Sequence, residues 1–213
     1  MDRVILAYSR LPRQLPAVVR ARWRARLSAA GAARLSEDAR AQSQSLLGVA
    51  LACRLLSGAS GRPVAPGELH YTRNGKPHAS DLPPFSIAHA GVWVVCALWS
   101  GGAIGIDIEP LVPRATLPRW LSVFDSEERR AAHSARAGLA IWTTKEATLK
   151  AAGGSLAELA LIRVRGLRVE FRGRHWHASE ARVAPRMIAR VVTERPVTQW
   201  RLSAVPARAA LAA

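Results

Sequence analysis

Three acidic side chains and a lysine stand at spacings that could hold a divalent cation. In residues 104–109 isoleucine alternates with Gly105, Asp107 and Glu109. Because side chains alternate across a strand, Gly105, Asp107 and Glu109 would share one sheet face. Carboxylates about 6–7 Å apart along a strand repel each other unless a cation lies between them. Oxygen ligands without a nearby His or Cys favour Mg²⁺. Taken alone, this alternation is more often typical of a solvated polar strand face.

A helical pattern further along the chain supplies the third carboxylate. Trp142, Glu146 and Lys150 are spaced four residues apart, so they fall on one helix face. An ordinary surface ion pair would also explain Glu146 and Lys150. However, 28 of the 31 basic residues are Arg, and the three lysines are Lys76, Lys145 and Lys150. Two of the three therefore lie in this one helix, where solvation alone does not require lysine.

The elements that would position these residues divide the chain into two α+β halves, residues 1–102 and 103–213, joined at Ser100-Gly101-Gly102. In the first half we predict strands at 4–8, 69–73, 85–88 and 92–98 and helices at 17–27 and 38–56. In the second half we predict strands at 103–109, 162–171, 182–192 and 198–205 and helices at 116–123, 126–136 and 139–152. The tail after Pro206 is expected to fray. The similar order of elements suggests a pseudo-twofold with a cleft between the halves.

Composition limits the class of protein. The 213 residues are 49% apolar, which is enough for a buried core, and the longest apolar run, residues 92–99, is too short to cross a bilayer. Cys53 and Cys96 lack metal-ligand or redox spacing, and the N-terminus lacks the pattern of a signal peptide. These features predict a cytoplasmic protein with reduced thiols and no membrane partner.

The net charge of +16 indicates an anionic partner. A basic nucleic-acid-binding module is one alternative function, and it rests on this charge alone. No helix-turn-helix, zinc-finger or aromatic RNA-binding signature accompanies it, so nucleic acid is not the expected partner.

Five motifs, in order and spacing, resemble those of the Sfp-type 4′-phosphopantetheinyl transferases. They are Gly75-Lys76-Pro77, Phe85-Ser86-Ile87-Ala88-His89 followed by Trp93, Gly105-Ile106-Asp107-Ile108-Glu109, Phe124 with Glu128, and Trp142-Thr143-Thr144-Lys145-Glu146-Ala147 with Lys150. The resemblance spans residues 69–154, and five motifs in fixed order are far more specific than any one of them.

The resemblance implies a pseudo-dimeric α+β fold with the active site in the cleft between two similar halves. It also implies an Mg²⁺-dependent enzyme that moves 4′-phosphopantetheine from coenzyme A to a serine of an apo carrier protein and releases adenosine 3′,5′-bisphosphate. An acidic acyl or peptidyl carrier from polyketide, nonribosomal-peptide or fatty-acid biosynthesis would match the positive charge. A monomer is expected, because a chain of two halves could form its own cleft.

The same resemblance implies roles for the residues that would bind Mg²⁺ and phosphate and transfer the proton. Asp107, Glu109 and Glu146 would hold Mg²⁺ against the pyrophosphate, while Lys150 and His89 would contact phosphate oxygens. Glu146 would also take the proton from the carrier serine, directly or through water.

The nucleotide would lie along Lys76 and Pro77. The family usually places a basic residue for the 3′-phosphate where this chain has Gln44. Arg40, one helical turn earlier, could replace it. Glu128 matches an auxiliary acidic position of the family, although a solvent-facing side chain would explain it equally well.

Overall fold

The computed structural model describes residues 3–111 and 121–212, which form two compact α+β units. The first unit contains Met1–Gly102 and Thr198–Ala213, and the second contains Ala103–Val197. The predicted α+β class is confirmed, while the pseudo-dimeric relation between the halves stays a prediction. The predicted helix at 116–123 lies mostly outside the described residues, which resume at residue 121. No helix in the described part of the chain combines the length and apolar character needed to cross a membrane.

The first unit is built on a four-stranded sheet and one long helix. Its elements are β1 (Arg3–Arg10), α1 (Ala17–Arg24), α2 (Ala29–Ala33), α3 (Ala39–Ser60), a 3-10 helix (Pro66–Glu68), β2 (His70–Tyr71), β3 (Pro77–His78), β4 (Phe85–Ala90) and β5 (Trp93–Leu98). The last two elements of the chain, β11 (Gln199–Ala204) and α6 (Ala207–Ala210), also belong to this unit. The strand order is β11-β1-β5-β4, with β1 and β11 parallel and the other pairs antiparallel.

The helix α3 provides much of the first core. It begins where Asp38 accepts a hydrogen bond from the Ala41 N–H (2.7 Å), and it packs against β4 and β5. The predicted stop at Ser57-Gly58 is wrong, because the helix continues to Ser60 and ends at Gly61, which has a φ of +71°. A helix tolerates an interior glycine, whereas its end needs a residue that adopts the left-handed conformation readily.

The second unit is an antiparallel sheet covered by one helix. Its elements are β6 (Ile104–Pro110), α4 (Ser126–Ala131), α5 (Ala135–Ala152), a 3-10 helix (Leu156–Leu161), β7 (Arg163–Arg165), β8 (Arg168–Phe171), β9 (Arg174–Glu180) and β10 (Met187–Thr193). The strand order is β6-β10-β9-β8-β7. The helix α5 packs on β6 and β10 and ends, as predicted, at Gly153, whose φ is +65°. The predicted strand at 162–171 is a hairpin that turns at Gly166 (φ +63°), and β9 was not predicted.

The glycine of β6 explains how closely α5 approaches the sheet. A Cβ atom at Gly105 would lie 2.0 Å from the Ala147 carbonyl oxygen and 2.4 Å from the Ala151 nitrogen. The helix backbone therefore rests directly on β6 at this point. The face of β6 that carries Asp107 and Glu109 is the face that meets α5.

The C-terminal segment differs from the prediction. Residues 198–213 belong to the first unit, where β11 pairs with β1 from Arg3↔Gln199 to Tyr8↔Ala204. The tail does not fray within the described residues, because Ala210 and Leu211 are buried and the Trp23 indole donates a hydrogen bond to the Leu211 carbonyl (3.3 Å).

Candidate metal centre and active site

Three carboxylates of the second unit converge where β6 meets α5. Asp107 is buried, with 5% of its surface exposed, whereas Glu109 and Glu146 are half-buried. One oxygen from each carboxylate lies within 4.8 Å of the others. Strand alternation places the first two on the helix-facing side of β6, and α5 contributes the third. The structure thus brings together the three residues that the sequence singled out as metal ligands.

The Asp107 carboxylate is held from one side only. Its Oδ1 accepts a hydrogen bond from the Lys150 ammonium at 2.7 Å, and the Lys150 side chain is still 36% exposed. Its Oδ2 is buried, and no donor among residues 3–111 and 121–212 reaches it. A buried carboxylate oxygen without a donor is costly, and a cation bound at that oxygen would remove the cost.

The crowding of these carboxylates changes their acidity. Burial, together with the Asp107 charge, raises the pKa of Glu109 to about 7, although a hydrogen bond from Trp142 and the Lys150 ammonium oppose the rise. Burial, again with the adjacent Asp107 carboxylate, raises the pKa of Glu146 to about 8. When all three carboxylates are ionised, the single Lys150 ammonium does not offset their charge, so a bound cation would favour the ionised forms of Glu109 and Glu146.

This donor set suits Mg²⁺ better than a metal ion that prefers nitrogen or sulfur ligands. All three donors are carboxylate oxygens, which are the ligands that Mg²⁺ prefers, and the described residues offer no His or Cys at the cluster. The residues present therefore fit an Mg²⁺ ion held by Asp107, Glu109 and Glu146, which would neutralise charge on bound phosphate oxygens.

Lys145 and Glu128 are not part of this cluster. Their side chains have no solvent exposure, and Lys145 Nζ lies 2.9 Å from Glu128 Oε2 while also donating to the carbonyls of Leu159 and Ile162. Glu128 Oε1 accepts from the Val164 N–H at 2.8 Å. The solvent-facing alternative for Glu128 is therefore wrong, since the pair joins α4 and α5 to β7 inside the core.

Sequence reasoning missed this buried pair, although a signal was present. The signal is the use of lysine in a chain whose basic residues are nearly all Arg, but Lys145 and Lys150 share this signal. Only Lys150 turns toward the carboxylate cluster. Residues five positions apart on a helix point about 140° away from each other, and the sequence does not say which of the two sides is covered.

The other predicted residues belong to the first unit. His89 is exposed on β4, and Lys76 and Pro77 are half-buried at β3. His89 pairs with Val94 of β5 in the register of the hairpin. Contacts of Lys76, Pro77 and His89 with coenzyme A stay predictions.

Arg40 and Gln44 hold one turn of the first unit together. Arg40 Nη2 donates to the Gly91 carbonyl at 2.9 Å, and Gln44 Nε2 donates to the same oxygen at 2.8 Å. Gly91 lies in the turn between β4 and β5, two residues after His89. Both side chains therefore fix the turn that follows His89. The predicted role of Arg40 in binding the 3′-phosphate stays a prediction.

Comparison with known proteins identifies the family. The family model of the 4′-phosphopantetheinyl transferase superfamily matches residues 103–212, which is more than half of the chain. The chain therefore belongs to this superfamily, and the resemblance read from the motifs is confirmed.

Curated relatives carry the same family name. The 4′-phosphopantetheinyl transferase AcpT of Escherichia coli (strain K12) is 34% identical over 105 residues, covering 45% of this chain and 53% of the relative. The 4′-phosphopantetheinyl transferase of Bacillus subtilis is 36% identical over 90 residues, covering 39% of this chain and 40% of the relative. AcpT of Salmonella typhi is 31% identical over 107 residues, covering 45% and 54%. The chain thus spans about half the length of the curated relatives it matches.

Proposed function

We propose that this protein transfers the 4′-phosphopantetheine group of coenzyme A to a serine of an apo carrier protein and releases adenosine 3′,5′-bisphosphate. The observation that carries the proposal is the cluster of Asp107, Glu109 and Glu146, with Lys150 on Asp107, in a chain of this superfamily. Phosphoryl transfer depends mainly on positioning and on neutralising charge at the phosphate oxygens. A carboxylate set that fits Mg²⁺ beside an exposed ammonium supports that chemistry.

Four residues of the second unit have a proposed role in the reaction. Asp107, Glu109 and Glu146 hold the magnesium ion, and Lys150 binds a phosphate oxygen. The serine oxygen forms the new bond to phosphorus as the bond to adenosine 3′,5′-bisphosphate breaks. Glu146 takes the serine proton, directly or through water, because its carboxylate is the acidic group that α5 places at the cluster.

The first unit would contribute to binding of coenzyme A. We assign phosphate contacts to His89 and Arg40 and contacts along the adenine to Lys76 and Pro77. The position of Arg40 next to the turn after His89 supports a shared role for these two residues. If Arg40 serves the 3′-phosphate, Arg40→Ala will weaken binding of coenzyme A more than binding of its dephospho form. Unchanged affinity would contradict this role.

The carrier protein is the proposed macromolecular partner. A net charge of +16 favours an acidic partner and would speed their encounter. Polyketide, nonribosomal-peptide and fatty-acid carriers all meet this condition. The monomeric state and the cytoplasmic location remain predictions, and the family match does not favour the nucleic-acid-binding alternative.

The test is incubation of the protein with coenzyme A, Mg²⁺ and a panel of apo carriers, scored by intact mass. At least one carrier should gain the mass of phosphopantetheine, and chelation of the metal should stop the gain. Asp107→Asn and Glu146→Gln should each reduce the rate by at least ~100-fold, because each removes a charge that acts on the phosphate or the proton.

A matched control replaces an exposed carboxylate outside the cluster. Glu37→Gln makes the same chemical change at an exposed position in the first unit and should leave the rate unchanged. Full turnover by Asp107→Asn or Glu146→Gln would remove the roles assigned to those residues. No mass gain on any carrier, together with tight, salt-dependent binding of duplex DNA, would favour the nucleic-acid-binding alternative instead.

A further inference from the structure

One pocket lies entirely within the first unit and contains none of the residues assigned to coenzyme A. It has a volume of about 700 Å³. Its walls come from the C-terminal half of α3, the end of α1, the segment at residues 63–66, and the strands β1 and β11. Arg40, Lys76, Pro77 and His89 are absent from its lining. The pocket is therefore separate from the proposed coenzyme A contacts.

The sheet order explains why this space is open. The helix α3 packs mainly against β5 and β4, whereas β11 forms the edge of the sheet beyond β1. In the parallel register Arg201 lies beside Ile5 and Ser203 beside Ala7, and all four line the pocket. Arg201 and Ser203 therefore border open space at the sheet edge, whereas α3 covers β4 and β5.

The pocket combines an apolar interior with a cationic border. The half-buried side chains of Ile5 and Leu55 contribute accessible apolar surface. The exposed residues Arg26, Arg54 and Arg201 contribute guanidinium groups. The Arg26 guanidinium lies over the Trp23 ring, 4.6 Å from its centre.

Arg54 and Arg201 face no carboxylate among the described residues that line the pocket. The described residues that line it include neither Asp nor Glu. Glu68 is close enough to Cys53, a lining residue, to affect its acidity, but the Glu68 carboxylate pairs with Arg62 at 2.8 Å. The pocket therefore carries net positive charge around an apolar interior.

We propose that this pocket binds a small amphipathic organic anion, with its apolar body against Ile5 and Leu55 and its oxyanion head at Arg54 and Arg201. Guanidinium groups bind carboxylate and phosphate oxygens through paired hydrogen bonds, and the volume lies in the ordinary range for small-molecule sites. The shared chemistry is a single oxyanion on an apolar chain. A fatty carboxylate and an alkyl phosphate are two sources of that chemistry.

The test is calorimetric titration of the full chain with decanoate, decyl phosphate and decanol below their aggregation concentrations. Both anions should bind with a stoichiometry of one, and decanol should bind at least tenfold more weakly. A preference between the two anions identifies the head group. Arg54→Glu and Arg201→Glu should each weaken anion binding at least tenfold. The matched control Arg168→Glu, at an exposed position on β8 of the second unit, makes the same charge change and should leave the affinity within twofold.

A filling variant provides a test that does not depend on charge. A Cβ atom at Gly58, which lines the pocket from within α3, would meet no atom within 4 Å. Gly58→Leu should therefore fold normally, raise the melting temperature and abolish anion binding, while phosphopantetheine transfer stays unchanged. Equal affinity for decanol and decanoate, an equal loss in Arg168→Glu, or unchanged binding in Gly58→Leu would each overturn the proposal.

Discussion

Two lysines five positions apart in α5 differ in role because their surroundings differ: one belongs to a buried ion pair and the other to the carboxylate cluster. Lys145 is buried with Glu128, whereas Lys150 is partly exposed and holds Asp107. Burial lowers the pKa of Lys145 from its ordinary value, and the Glu128 carboxylate opposes that shift. A buried ion pair in which both partners are fully hydrogen-bonded fixes geometry, and removal of one partner leaves an uncompensated charge.

The first prediction concerns this pair. Lys145→Met should lower the free energy of unfolding by about 3–5 kcal/mol, because Glu128 would remain buried without its cation. Arg136→Met provides a matched control, since it breaks the exposed Arg136–Glu180 pair and should cost less than about 1 kcal/mol. Urea unfolding measures both values. Equal losses in the two variants would show that the Lys145–Glu128 pair has no special structural role.

The contact between β6 and α5 positions the site at the scale of elements. β6 supplies Asp107 and Glu109, α5 supplies Glu146 and Lys150, and Gly105 allows the helix backbone to rest on the strand. A side chain at position 105 would separate the two elements that the carboxylate cluster requires.

The second prediction tests that contact. Gly105→Ala should destabilise the protein by about 1–3 kcal/mol or more, because its Cβ would collide with backbone atoms of α5 that cannot rotate away. It should also weaken Mg²⁺ binding at least tenfold, since Glu146 would move away from Asp107.

Gly58→Ala is the control for this substitution. It introduces the same methyl group at a helical position without neighbours within 4 Å, so it should stabilise the protein by about 0.5–1 kcal/mol. Thermal unfolding and calorimetric Mg²⁺ titration measure the two effects. Wild-type stability and Mg²⁺ affinity in Gly105→Ala would contradict the proposed close approach.

At the scale of the whole molecule, the chain returns to its first unit after completing the second. The β1–β11 pair joins residues about 196 positions apart. Near the end of the chain, the Leu211 carbonyl accepts hydrogen bonds from Arg22 (3.1 Å) and Trp23 (3.3 Å). Each unit also has its own buried cluster of apolar side chains. The last sixteen residues therefore stabilise the beginning of the chain.

The third prediction follows from this return. Removal of residues 198–213 should expose the edge of β1 and the Trp23 side chain, and it should reduce hydrogen-exchange protection in β1 and α1. Amides of β6 and α5 should keep their protection, because their partners all lie in the second unit. Hydrogen exchange followed by mass spectrometry distinguishes these regions. Equal loss of protection in β6 would contradict the division.

Local patterns in the sequence predicted which faces of β6 and α5 carry Asp107, Glu109 and Glu146, and the resemblance to the family implied that these carboxylates converge. Local patterns also predicted the end of α5 at Gly153, because alternation, helical spacing and glycine conformations are properties of short segments. The tertiary structure alone decided that Glu128 and Lys145 are buried together, that β11 lies beside β1, and that a cationic pocket remains at the sheet edge. These features depend on which distant faces meet, and a periodic pattern specifies a face without specifying its partner.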